Sequence, residues 1–208
     1  METRNYLEDI TEIKQMMSRS SRFISLSGLS GILAGVYALI GATAAWFQLN
    51  SFQQGYPNYR QALTGQAVDT LTARLFIIAG IVIIASIVTA IVLTTRKARK
   101  NNEKIWDAAS KRLLQSFAIP LIAGGLFCLA ILQRDIAGLV APATLLFYGL
   151  ALINASKYTL GDIKYLGTAN VVTGLIATQF IGYGLYFWAL GFGVFHIIYG
   201  LIMFKKYD

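Results

Sequence analysis

Long, nearly uninterrupted apolar runs separated by polar segments set the pattern of this chain. Six of them approach the roughly 20 residues that an α-helix needs to cross a hydrocarbon core. They are Phe23–Phe47, Leu75–Thr94, Leu113–Leu132, Ile136–Ala155, Tyr165–Phe187 and Ala189–Phe204. The last is short and is expected to continue its helix from the turn region Leu185–Trp188. None of the runs alternates at period two over any length, as the strands of a barrel would, so the pattern predicts helices. The expected fold is all-α, a polytopic membrane protein with six transmembrane helices over residues 23–208. A cytoplasmic amphipathic helix over residues 1–22 precedes them.

In that first segment Leu7, Ile10, Ile13 and Met17 share one helical stripe while Glu8, Glu12 and Lys14 fall elsewhere, the mark of a helix lying at an interface or against a partner. The stretch from Arg96 to Arg112 continues a helical pattern beyond the second run and is strongly basic. Gln48 to Ala73 is the one long loop expected on the far side, with a short helix leading from Ala67 into the second span. Its Gln53-to-Arg60 stretch is rich in turn formers and aromatics, which suit an interface or a lid.

Composition supports lipid as the solvent. The chain is 56% hydrophobic and 13% charged, against about 45–50% and about 25% in soluble domains. Its net charge of +8 would suit a nucleic acid, but the basic residues cluster at the ends of the apolar runs. Fifteen Lys and Arg fall on one side of the expected membrane, and only Arg60, Arg74 and Arg134 on the other. The positive-inside rule then puts both termini in the cytoplasm, in a multi-pass protein of the cell membrane. Ala42-Thr43-Ala44 resembles a signal-peptide cleavage site, but the run before it is too long and its leader too acidic, so it reads as a retained span. The single cysteine, Cys128, can form no intramolecular disulfide. With only one histidine beside it, no metal site of the usual His/Cys kind is expected.

Spans three and four resemble spans five and six. A shift of 54 lays Ile122-Ala123 over Ile176-Ala177, and a shift of 51 lays Tyr148-Gly149-Leu150 over Tyr199-Gly200-Leu201. This suggests repeated helical hairpins in which Ser27, Ser116 and Asn170, each seven residues before an alanine, would be equivalent and could converge on one polar site.

No Asp, Glu, Lys or Arg occupies the centre of a span, which counts against proton-coupled transport and carboxylate-pair hydrolysis. No catalytic residues are assigned, and an enzyme is not expected. The candidate ligand-binding residues are the polar groups of span five, Asn170, Thr173 and Gln179, together with His196 and Asn154. Ser27, Gly31 and Gly35 make a small-residue stripe for helix packing. Pro120 and Pro142 should kink spans three and four and free backbone carbonyls. The leading expectation is a non-enzymatic membrane partner subunit or sensor. It would engage the lipid bilayer and a cytoplasmic or membrane protein or a second copy, and no nucleic acid. The alternative is a carrier or channel for a neutral or apolar small molecule. No cofactor is specified by the sequence.

Overall fold

The computed structural model describes residues 27–55, 66–101, 105–134 and 136–207, with only the backbone of 52–55 and 66–69. The expected N-terminal helix over 1–22 and the aromatic loop tip lie outside the described residues. Among the described residues every regular element is helical: α1 Gly28–Gly55, α2 Gln66–Lys100, α3 Ala108–Leu132, a 3-10 turn Ala137–Leu139 leading into α4 Val140–Ala155, α5 Ile163–Ala177, and α6 Gly184–Trp188. A widened π turn, Ala189–Val194, joins α6 to α7, Phe195–Tyr207.

Among the described residues five stretches are long and apolar enough to cross a membrane: Gly28–Ser51, Thr70–Lys100, Ala108–Leu132, Ala137–Ala155 and Gly184–Tyr207. The expected run Tyr165–Phe187 is divided. Thr178, Gln179 and Phe180 leave α5 through tight turns, the chain reverses at Gly182 with φ +104°, and Gly184 already begins the last helix. The 15 residues of α5 rise about 22 Å, less than the roughly 30 Å of a hydrocarbon core. The basic connection is broken as well. A new helix starts at Ala108, where the Asp107 carboxylate accepts from Ser110 N at 2.7 Å and Ser110 Oγ accepts from Asp107 N at 2.9 Å, a reciprocal cap that ends any continuous 96–112 helix.

α1 packs antiparallel on α2, α3 on α4, and α4 on α5. Gly41 faces Ile78 and Val82 between α1 and α2, and Gly124 faces Phe147 between α3 and α4. Several close approaches use glycine on both sides. A Cβ on Gly149 would lie 2.6 Å from Gly167 O, and one on Gly167 would lie 2.7 Å from Gly149 O, so α4 and α5 meet backbone to backbone. Likewise a Cβ on Gly35 would lie 2.6 Å from Gly193 O and one on Gly200 2.8 Å from Gly28 O, which seats α1 against the π turn and α7. Gly31 and Gly35 of the small-residue stripe therefore meet the chain's own last helix, while Ser27 lies at the entry to α1, where its carbonyl accepts from Ser30. Among the described elements α1 is the one against which α2 packs extensively, and α3 packs extensively on α4. The two therefore form the outer edges of an arc.

All these contacts bring the start of α1, the end of α2, the start of α3, the end of α4, the start of α5 and the end of α7 to one end of the bundle. There Lys206 Nζ lies 2.7 Å from Asp162 Oδ2, Tyr207 Oη donates to the same oxygen at 3.1 Å, and Lys97 Nζ donates to Tyr207 O at 3.0 Å. Hydrogen bonding from Lys206 foremost, and then from Tyr207, holds the Asp162 carboxyl below its ordinary range.

The glycine contacts make a paired prediction. Gly200→Leu or Gly149→Leu should force two backbones apart and lower stability in detergent by about 1–3 kcal/mol or more. Gly80→Ala and Gly125→Ala, where a Cβ meets nothing within 4 Å, should be neutral or stabilise by up to about 1 kcal/mol. Thermal unfolding of the four variants separates the two classes.

Candidate functional site

At mid-bundle, a polar cluster is assembled by three elements that are far apart in sequence. Tyr148 on α4 reaches His196 on α7, with Oη 2.6 Å from Nε2. The other ring nitrogen, Nδ1, lies 2.9 Å from Gly191 O. A carbonyl oxygen can only accept, so Nδ1 carries the proton, Nε2 is the acceptor, and the Tyr148 hydroxyl donates to it. The π turn makes this possible: a π turn pairs each carbonyl with an N–H five residues on, and here the ring of His196 serves the carbonyl of Gly191, five residues before it. His196 is thus buried with both nitrogens engaged.

Asn170, fully buried on α5, faces the same turn. Its Nδ2 donates back to Leu166 O at 2.9 Å. Its carbonyl oxygen Oδ1 meets no donor among the described residues. It rests on Gly191, where a Cβ would come within 2.6 Å of it; any larger residue at 191 would displace the amide. Thr173, one turn further along α5, is buried on the same face. Rings enclose the cluster on its other side: Phe117 stands edge-on to Tyr148 at 6.0 Å, Phe192 lies 4.9 Å from Tyr148 and stacks on His196 at 6.0 Å, and Trp188 continues the series 5.0 Å from Phe192.

Of the sequence candidates, Asn170, Thr173 and His196 gather around this turn, and two others lie elsewhere. Gln179 is exposed in the turn after α5, where its Nε2 donates to Thr178 Oγ1 at 3.2 Å. Asn154 sits toward the basic end, where its Nδ2 donates to Ser116 O at 2.8 Å and its Oδ1 accepts from Lys157. That first bond has a covalent cause. Pro120 lies inside α3 and has no N–H to return to the carbonyl four residues earlier; that carbonyl belongs to Ser116, and Asn154 satisfies it. Pro142 sits in the first turn of α4, where a missing N–H leaves no broken bond. Ser116 and Asn170 are therefore not neighbours: Ser116 is tied to Asn154, six residues along α4 from the Tyr148 level, and Ser27 lies at the mouth of α1. Among the described residues no three His, Cys, Asp or Glu side chains come close enough to share a metal ion.

Sequence reasoning passed over Tyr148 as a site residue, noting it only in the repeat; an aromatic hydroxyl in an apolar run that needs a buried partner was the available signal. Gly191 gave no signal of its own.

Tyr148→Phe should lower stability by about 1–3 kcal/mol, because it strands Nε2 of a buried histidine, while the double variant Tyr148→Phe with His196→Leu should cost less than the sum of the single changes. Melting curves of the three variants in one detergent test this; strictly additive losses would remove the hydrogen bond from the account. No family model matches this chain, and no curated protein or solved structure matches it.

Proposed function

We propose that the chain is an integral membrane protein of six spans, with both termini in the cytoplasm, and that it works without catalysis as a partner subunit or sensor of the cell membrane. The basic residues support the orientation. Arg96, Lys97, Arg99, Lys100, Lys111, Arg112, Lys157, Lys164, Lys205 and Lys206 belong to the bundle end where Asp162 is clasped, and Arg74 and Arg134 to the opposite end. The sixth crossing is α5. It falls short by length alone, but it runs antiparallel to α4 from Gly167 against Ile153 to Gly174 against Pro142, and the turns at its ends add the missing height.

One observation carries the subunit role. On α2 the residues Ile77, Ile81, Ile84, Val88 and Ile91 recur at spacings of four and three, and each is more than half exposed. This seam is separate from the face that meets α1 through Ile78, Val82 and Thr89. A seven-residue repeat of β-branched side chains is the pattern by which one helix receives another, and in lipid such association is driven by fit between surfaces. The partner it suits is an apolar transmembrane helix, from another protein or from a second copy of this chain.

Native mass spectrometry of the gently extracted protein tests the reading. Wild type should carry a stoichiometric protein partner. Ile81→Ala with Ile84→Ala should weaken that association about tenfold, the equivalent of about 1.4 kcal/mol. A chain that is solitary in both forms, carrying lipid only, would contradict the subunit role.

A further inference from the structure

The end of the bundle opposite the Asp162 clasp carries an open groove of about 460 Å³ lined by Phe180, Tyr183, Tyr186, Phe187 and Leu190. It exists because the chain reverses at Gly182. That turn brings Phe180 back over Phe187, centroids 6.0 Å apart, and sets Tyr183 beside Tyr186 at 6.2 Å. The volume falls in the range of about 300–1,000 Å³ usual for small-molecule sites. We propose that this four-ring groove binds an organic cation of the quaternary-ammonium class, either free or as the choline headgroup of a lipid. The inference rests on the groove alone and stands apart from the subunit reading.

Three considerations select that chemistry. First, aromatic faces carry negative charge density and attract a cation placed within about 6 Å, and the two tyrosines add phenolic oxygens and no positive charge. Second, at the basic end the chain supplies such cations itself: Lys111 lies 5.9 Å from the Trp106 ring, Lys164 4.9 Å from Tyr165, and Lys206 5.0 Å from Tyr207. Among the described residues no lysine or arginine is stacked on Phe180, Tyr183, Tyr186 or Phe187. Third, a neutral apolar ligand gains little by leaving lipid for an apolar groove, because acyl chains are equally apolar, whereas a cation gains the attraction of the rings. A quaternary ammonium has no N–H to satisfy, so it gives up less hydration than a primary amine on entering such a site.

The test uses the full chain in an uncharged maltoside detergent, titrated with radiolabelled tetraethylammonium. Wild type should bind it saturably. Tyr183→Phe with Tyr186→Phe keeps the π faces and should bind within about threefold of wild type. Tyr183→Leu with Tyr186→Leu removes two of them and should bind at least about tenfold more weakly. Both tyrosines are exposed, and unchanged melting of the Leu pair guards against a folding artefact. Choline should displace the probe far better than 3,3-dimethylbutan-1-ol, its uncharged carbon analogue. Added phosphatidylcholine, compared with phosphatidylglycerol, distinguishes the two sources: competition identifies the headgroup, and no competition identifies a soluble cation. Absence of saturable binding to wild type, equal binding by the Leu pair, or equal displacement by the uncharged alcohol would overturn the proposal.

Discussion

The bundle depends on backbones that touch. Where α4 meets α5 and where α1 meets α7, glycines face carbonyl oxygens with no room for a side chain between them. In water, helices of this composition would be pressed together by their apolar faces. In lipid that drive is absent, and dispersion between closely fitted surfaces must supply cohesion. These two glycine contacts fix the positions of α4 with α5 and of α1 with α7; the flanking helices α2 and α3 attach to that centre.

On the proposed membrane reading the same solvent governs the polar groups. Each buried donor or acceptor has to find a partner inside the protein, and the fold meets this by exchange between helices. The carbonyl freed by Pro120 is served by Asn154 of the next helix, and the ring of His196 serves Gly191 while receiving the Tyr148 hydroxyl. Among the described residues the buried side-chain atom without such a partner is Asn170 Oδ1, pressed against the turn on which the His196 pair depends. A side chain longer than glycine at 191 would run into the Asn170 amide and the Leu145 side chain, so this position couples α5 and α4 to the turn whose carbonyl the His196 ring serves.

The apolar runs made the helices legible, because a stretch of about 20 apolar residues has few structures open to it. Their limits were less so. The break after Ala177 carried polar and glycine signals at Thr178, Gln179, Gly182 and Gly184, but Phe180 and Ile181 between them kept the run apolar. The cap at Asp107 was equally local, yet the charge of the surrounding segment obscured it. Gly31 and Gly35 announced a close approach without naming its partner, since pairing with Gly193 and Gly200 depends on how the chain returns. The polar site was half visible: Asn170, Thr173 and His196 stood out as polar groups in apolar runs, whereas Tyr148 and Gly191 gained their roles from a tertiary contact and a π turn that periodicity does not encode. Asn154 stood out for the same reason, and a proline on the facing helix accounts for it.

The central claim, six crossings with the basic end in the cytoplasm, is tested most directly by labelling single cysteines in intact cells with a membrane-impermeant maleimide. The native Cys128 is replaced by alanine, and one cysteine is introduced at Gln133, Lys157 or Gln179, all three exposed. Gln133→Cys and Gln179→Cys should label in intact cells, and Lys157→Cys only after permeabilisation. Equal accessibility of positions 157 and 179 would mean that α5 does not cross, and would contradict both the six-span architecture and the common side of the termini.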